Sequence, residues 1–333
     1  MIQTRTTLSE ISKALNVSIS TVSKSLSDSS EISLSTKKRI QDFANKCNYV
    51  PNNFAANLRK GYTNTIGLII PNMLNPFYAK VFVGIEKYLD EHGYRLITSI
   101  SNESKDKEVK SLKKMANGYV DGLIICTSKE TEVSNEYSHI NSLIGQGTPV
   151  VMFDRICELI DCDKVIINDY EASFETTEHL INTKNCSNIL MASLIDDLYH
   201  GKLRTRGFND AIERNIDKVR GTTIIANDIS SLQKKLEAAL KNDPTIDGIL
   251  GVNEQAVLKA ISTVKKLNIN SLHGEVIIAG FCAQRLVESY EPLVIITQNA
   301  KKIGVESAKN ILQRIKNTET KNFNTTTVEY DLY

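Results

Sequence analysis

With 333 residues, 41% of them apolar and 24% charged, the chain has room for two or three packed domains and the make-up of an ordinary globular protein. No stretch nears the roughly 20 apolar residues that span a bilayer, and the opening MIQTRTTLSEISK lacks a signal-peptide core, so a cytoplasmic location is expected. The net charge of +1 hides an asymmetry: residues 1–62 hold nine Lys/Arg against four Asp/Glu, the remainder 31 against 35. A basic end on a slightly acidic body suits a polyanion partner for that end alone, and equally a solvated basic face.

The first element is a helix from Leu8. Thr7 and Glu10 have capping-box spacing, and Leu8, Ile11, Ala14 and Leu15 share one face. Asn16 reads as a left-handed turn residue and Ser18 as the next N-cap. The second helix turns Val22 and Leu26 inward and leaves Ile19, Ser20, Ser23 and Lys24 opposite. A third, from about Ser33, carries Ile40, Phe43, Ala44 and Cys47 at i, i+3, i+4, i+7. Two short helices around a tight turn, closed by a third, form a helix-turn-helix. Short serines let the second helix enter a major groove closely, with Lys24 in reach of a base edge or phosphate. A three-helix bundle with a serine-rich solvent face fits the same pattern. Next, YVPNNFAANLRKG places Pro51 at a helix start and Gly61 past its end. About two turns is too short for a helix to stand alone, so this segment should order only against a partner.

From Tyr62 onward, strand-like runs alternate with helical ones. Strands are expected at 66–71, 95–100, 121–127, 149–153, 164–168, 188–193, 222–226, 247–252, 275–280 and 293–297. Helices are expected at 77–92, 105–117, 170–183, 231–241 and 254–267. The fold class is α/β, doubly wound and parallel, with ten strands better suited to two sheets than one. Ligands in such sheets bind beyond the carboxyl ends of strands, which singles out the loops PNMLNPFY, SNES, FDR, GVNE and GFCAQ. No loop carries GxGxxG, GxxxxGK[ST] or GxSxG, and no nucleophile–base pair or carboxylate dyad stands out. No enzyme activity and no cofactor are expected. The six cysteines form no CxxC pair and the five histidines no cluster, so they read as buried hydrophobes in a reducing compartment, with no structural metal.

Over essentially its whole length the chain resembles the LacI/GalR family of bacterial transcription regulators. The carriers are TLSEISKALNVSISTVSKSL, YVPNNFAANLRKGYTNTIGLIIP, NPFY, GIEKYLDEHGY, VDGLII, PVVMFDR, RTRGFNDAI and the late AGF…ITQNAKKIG. The resemblance implies a helix-turn-helix headpiece (1–50), a hinge helix (51–61) and a two-lobed body (62–333) like type I periplasmic sugar-binding proteins. Lobe one would take 62–162 and 293–322, lobe two 163–292 and 323–333. It also implies a homodimer on near-palindromic double-stranded operator DNA, a repressor in preference to an activator, whose affinity a small carbohydrate-like effector controls from the interlobe cleft. The absence of a heptad tail after Tyr333 favours a dimer over a tetramer.

By the same resemblance, Ile19, Ser20, Ser23 and Lys24 face DNA, with Lys24 where arginine is usual. Leu58 wedges into the minor groove, flanked by Ala55 and Arg59. Effector-cleft positions fall on Asn75, Phe77, Tyr78, Arg155, Arg204, Asn253 and Glu254. Ile229 stands where an aromatic ring often stacks on the ligand, and Cys282 where aspartate is common. Phe77 and Tyr78 read equally well as core aromatics. Loss of a carboxylate at Cys282 would free Arg155 and Arg204 for an acidic or phosphorylated sugar. The rival readings are a cytoplasmic sugar-binding protein and an α/β sugar-handling enzyme.

Overall fold

The computed structural model describes residues 6–49, 62–116, 118–268, 270–271, 274–282, 293–317 and 322–333. The chain divides into two compact units on either side of residue 61.

The first unit is three helices: α1 (Leu8–Leu15), α2 (Ile19–Leu26) and α3 (Leu34–Lys46). The capping box is formed in both directions. Glu10 N–H donates to Thr7 Oγ1 at 3.2 Å and Thr7 N–H to Glu10 Oε2 at 2.7 Å. Asn16 ends α1 in the left-handed region, φ 47°, which permits the tight turn into α2. Ile11, Val22, Ile40 and Ala44 are the buried core, closed over by Leu8, Leu15, Leu26 and Phe43.

The second unit holds two six-stranded sheets. Strands β1 (Thr65–Ile70), β2 (Arg95–Ile100), β3 (Gly122–Ile125), β4 (Val150–Phe153) and β5 (Asp163–Ile166) belong to the first. Strands β6 (Asn188–Ser193), β7 (Arg220–Ile225) and β8 (Gly248–Gly251) belong to the second. A short antiparallel pair, β9 (Asn270–Ser271) and β10 (Gly274–Glu275), precedes β11 (Ile277–Phe281) and β12 (Leu293–Thr297). The chain closes with β13 (Thr325–Thr327) and β14 (Asp331–Leu332). Sheet one runs β13-β5-β4-β3-β1-β2, all parallel. Sheet two runs β14-β12-β11-β8-β6-β7, parallel except for β14.

The lobes therefore exchange chain a few residues later than expected. Asp163–Ile166 pairs with β4 in sheet one, and Leu293–Thr297 pairs with β11 in sheet two. The last segment splits, with β13 in sheet one and β14 in sheet two. The expected boundaries at 162, 292 and 322 are corrected accordingly. A strand joins whichever sheet pairs its backbone groups, and a local apolar run cannot announce that partner.

Helices cover the sheets: α4 (Pro76–Glu91), α5 (Lys105–Ala116), α6 (Lys129–Ser134) and α7 (Ser138–Gly145) in lobe one, then α8 (Asp169–Asn182), α9 (Tyr199–Arg214), α10 (Ile229–Asn242) and α11 (Glu254–Leu267) in lobe two. The final helix, α12 (Ala300–Lys316), returns to pack on α4. That crossing is close because Gly84 and Gly304 face the opposing backbone. An added Cβ would sit 2.2 Å from Lys301 O and 2.1 Å from Val81 O, respectively. Among the described residues no helix is long and apolar enough to cross a membrane.

Candidate functional site

In the first unit, Ser18 caps α2 by accepting from Thr21 N–H at 3.0 Å. Val22 is wholly buried, while Ile19 is 48% exposed and Ser20 lies open. Ser23 and Lys24 are half-buried, and Lys24 Nζ pairs with Glu31 from the loop before α3. Ile19, Ser20, Ser23 and Lys24 thus share the side of α2 away from the core. Ala55, Leu58 and Arg59 lie outside the described residues.

In the second unit the carboxyl ends of both sheets meet at an interlobe cavity of about 80 Å³. Its wall includes Asn75, Phe77, Tyr78, Arg155, Arg204, Asn253 and Glu254, all seven of which the sequence placed there. Two are helix caps. Asn75 starts α4, accepting from Phe77 N–H at 2.9 Å, and Asn253 starts α11, accepting from Ala256 N–H at 3.1 Å. Phe77 and Tyr78 are buried, edge to face, and the Tyr78 hydroxyl contacts Asp154 Oδ2 at 3.4 Å.

Both arginines are buried and each already holds a carboxylate. The Arg155 guanidinium forks onto Glu103 at 2.5 and 2.9 Å. Arg204 donates to Asp169 at 2.8 and 2.7 Å and to Val252 O at 2.6 Å, and lies 3.6 Å over the Phe281 ring. Two further carboxyl groups, Asp154 and Glu254, line the cavity.

Burial raises Asp154 above the usual carboxylate range against the pull of Arg155 and Arg204, and raises Glu254 against the Cys282 thiol and Lys80. Asp169 is pushed up to about 6 by burial, with Arg204 opposing. His200 is held well below its ordinary value by burial, then by Arg204 and Arg155, so its ring is neutral. Among the described residues, Arg155 Nε and His200 Nδ1 are buried without a hydrogen-bond partner.

Two expected cleft residues are displaced. Ile229 is 42% exposed at the start of α10, which follows β7, the outer edge of sheet two; the strands that end at the cavity are inner ones. Cys282 is buried in the apolar core of lobe two, with Sγ 3.7 Å from Glu254 Oε1. Phe281, one residue earlier, forms the wall. Neighbouring residues of an extended chain face opposite ways. The expectation that Cys282 frees two arginines also fails, because Glu103 and Asp169 already pair with them. Sequence reading missed Asp154, Ile195, His200, Phe281 and Gln298 on the wall, and the anchors Glu103 and Asp169. The signal was present for several of them. Asp154, Phe281 and Glu103 sit in the flagged loops FDR, GFCAQ and SNES, and His200 precedes Arg204 by one helical turn.

A capped helix-turn-helix unit followed by a two-sheet body with a buried polar cleft is the architecture of a DNA-binding regulator with a body built to hold a ligand. The chain belongs to the LacI family. Residues 7–52 match the model of bacterial regulatory proteins of the lacI family, and 63–332 that of periplasmic binding proteins and the sugar-binding domain of the LacI family. It is 29% identical over 308 residues to the HTH-type transcriptional regulator DegA of Bacillus subtilis (strain 168), covering 91% of this chain and 89% of DegA. The Lac repressor dimer bound to operator and the anti-inducer ONPF shares the fold, at TM-score 0.83 and 18% identity over 98% of this chain and 97% of that one. A complex of the transcriptional regulator CelR with cellobiose does so at TM-score 0.70 and 19% identity, over 99% and 98% of the two chains. The protein is a DNA-binding transcriptional regulator and not an enzyme.

Proposed function

We propose that the protein is a repressor that binds a near-palindromic operator as a homodimer, and that a small polyhydroxylated effector in the interlobe cavity sets its operator affinity. The observation that carries the effector reading is the pair of buried, unpartnered groups, Arg155 Nε and His200 Nδ1, on a wall shared with Asp154 and Glu254. A hydroxyl group both donates and accepts, so several on one ring could satisfy a guanidinium N–H and a carboxylate together. An anionic effector would meet two carboxyl groups, and the charge of each guanidinium is already balanced by Glu103 or Asp169 even though Arg155 Nε keeps an N–H to give, so a neutral ligand is preferred over a phosphorylated one. The cellobiose held by the CelR neighbour is a neutral sugar of this kind.

A dimer accords with the Lac repressor neighbour and with exposed isoleucines on the outer strands: Ile97 and Ile100 on β2, Ile225 on β7. Apolar edges of this kind invite pairing with a second chain. On operator DNA, residues 51–61 would form the hinge helix, with Leu58 as the wedge that unstacks a base step for a few kcal/mol and Ala55 and Arg59 beside it.

The test of the effector class is a thermal-shift screen of neutral aldoses and alditols against their phosphate esters. A ligand at 100 times its dissociation constant adds about 2.7 kcal/mol. Stabilisation by a neutral member, lost in Arg155→Ala, is expected. Stabilisation by phosphate esters alone would refute the charge argument.

A further inference from the structure

Helix α9 carries both His200 and Arg204 into the cavity, yet it has no cap of its own. Leu198 occupies the N-cap position and makes no side-chain hydrogen bond there. The missing acceptor comes from the other lobe. Glu132, on α6 of lobe one, takes the Tyr199 N–H on Oε1 at 2.5 Å. Two more contacts bridge the lobes beside it. The Tyr199 hydroxyl donates to Glu158 Oε1 at 2.7 Å, and Lys129 Nζ pairs with Asp197 at 2.6 Å.

We infer that Glu132 is an interlobe cap: it completes the first turn of α9 only when the lobes are closed, and with Glu158–Tyr199 and Lys129–Asp197 forms a clasp that sets how readily the cavity opens. The cavity itself requires such opening. At about 80 Å³ it lies well under the roughly 300 Å³ at which small-molecule sites begin.

The clasp is balanced rather than locked. Glu132 places a negative charge at the positive end of α9, which favours closure. Its second oxygen, Oε2, is buried with no partner among the described residues, which costs part of that gain. The Lys129–Asp197 pair is 36% and 43% exposed, where an ion pair contributes at most about 1 kcal/mol, a severalfold effect. Glu132 is therefore a positioning residue, acting on the helix that bears His200 and Arg204 without reaching the cavity wall.

Amide exchange at Tyr199 in the full-length protein reports the clasp directly. Glu132→Ala should accelerate it about tenfold, the cost of one lost hydrogen bond. Glu132→Gln, which keeps an acceptor oxygen, should restore most of the protection. The decisive variant is Lys129→Ala, which touches neither partner of that bond. If the three contacts act together, it too accelerates exchange at Tyr199, by severalfold, while amides in β1 stay unchanged. Tyr199 exchange unaffected by Lys129→Ala, or equal in the Ala and Gln variants of Glu132, would overturn the proposal.

Discussion

Lys24 is the residue on which the DNA reading turns, and it is already engaged, by Glu31. Exposed pairs of this kind are worth at most about 1 kcal/mol, so a phosphate or base edge can displace the carboxylate. Lys24→Ala should weaken operator binding without affecting folding. If Lys24 reads a base, discrimination at one base pair relaxes by about 1–3 kcal/mol; if it contacts phosphate, affinity falls for all sequences and the salt slope shrinks by about one. Glu31→Gln should act the other way, raising affinity for any duplex up to about fivefold at low salt. Fluorescence anisotropy measures both, and indifference to both changes would mean that α2 does not face DNA. His200 carries a separate prediction about pH. Its folded pKa is depressed below the unfolded value of 6.5, so the unfolded chain takes up the proton first. Its contribution to stability is complete above pH 6.5 and is lost as the pH falls below that, by up to about 1.4 kcal/mol per unit. Urea unfolding at pH 7.5 and 5.5 should show this loss, reduced in His200→Gln. A ring signal assigned to His200 by its loss in His200→Gln, and titrating near 6.5 in the native protein, would contradict it.

Elements whose cause is local were legible in the sequence. Thr7, Glu10 and Asn16 fix α1 by chemistry within a few residues, and the alternating apolar runs gave the parallel strands within a residue or two. The loops after those strands held the cavity because carboxyl ends of parallel strands converge there. What depends on distant partners was not legible. Residues 163–166 and 325–327 join sheet one through pairings with each other and with β4. Cys282 and Phe281 differ only in which way they face at the end of β11. The fates of Arg155 and Arg204 were set by Glu103 and Asp169, 52 and 35 residues away. The α4–α12 crossing is another such feature, decided by two glycines far apart in sequence. Gly84→Ala drives a methyl into Lys301 O, and should destabilise the body by about 1–3 kcal/mol, as overpacking does. Thermal unfolding would register it; an unchanged midpoint would mean that the two helices are free to separate.

At the scale of the whole molecule, a basic end and a slightly acidic body divide the work between two units. Under the proposed function, DNA contacts would fall to the N-terminal unit and the segment after it, and the choice of effector to the cavity whose arginines Glu103 and Asp169 hold. The segment 51–61 is the part whose state should differ most between free and bound protein, since two helical turns are not stable alone. Leu58→Ala should therefore reduce specific binding far more than non-specific binding, in a titration against matched and scrambled duplexes. Sequence-specific operator recognition by this chain is the property on which the proposed function rests. Its most direct measurement is selection of the purified full-length protein on a randomised duplex library, followed by titration of the selected sequence at fixed salt. A near-palindromic site bound at least about 10³-fold tighter than random duplex is expected, with the preference weakened in Lys24→Ala. No enriched sequence, or equal affinity for selected and random DNA, would contradict it.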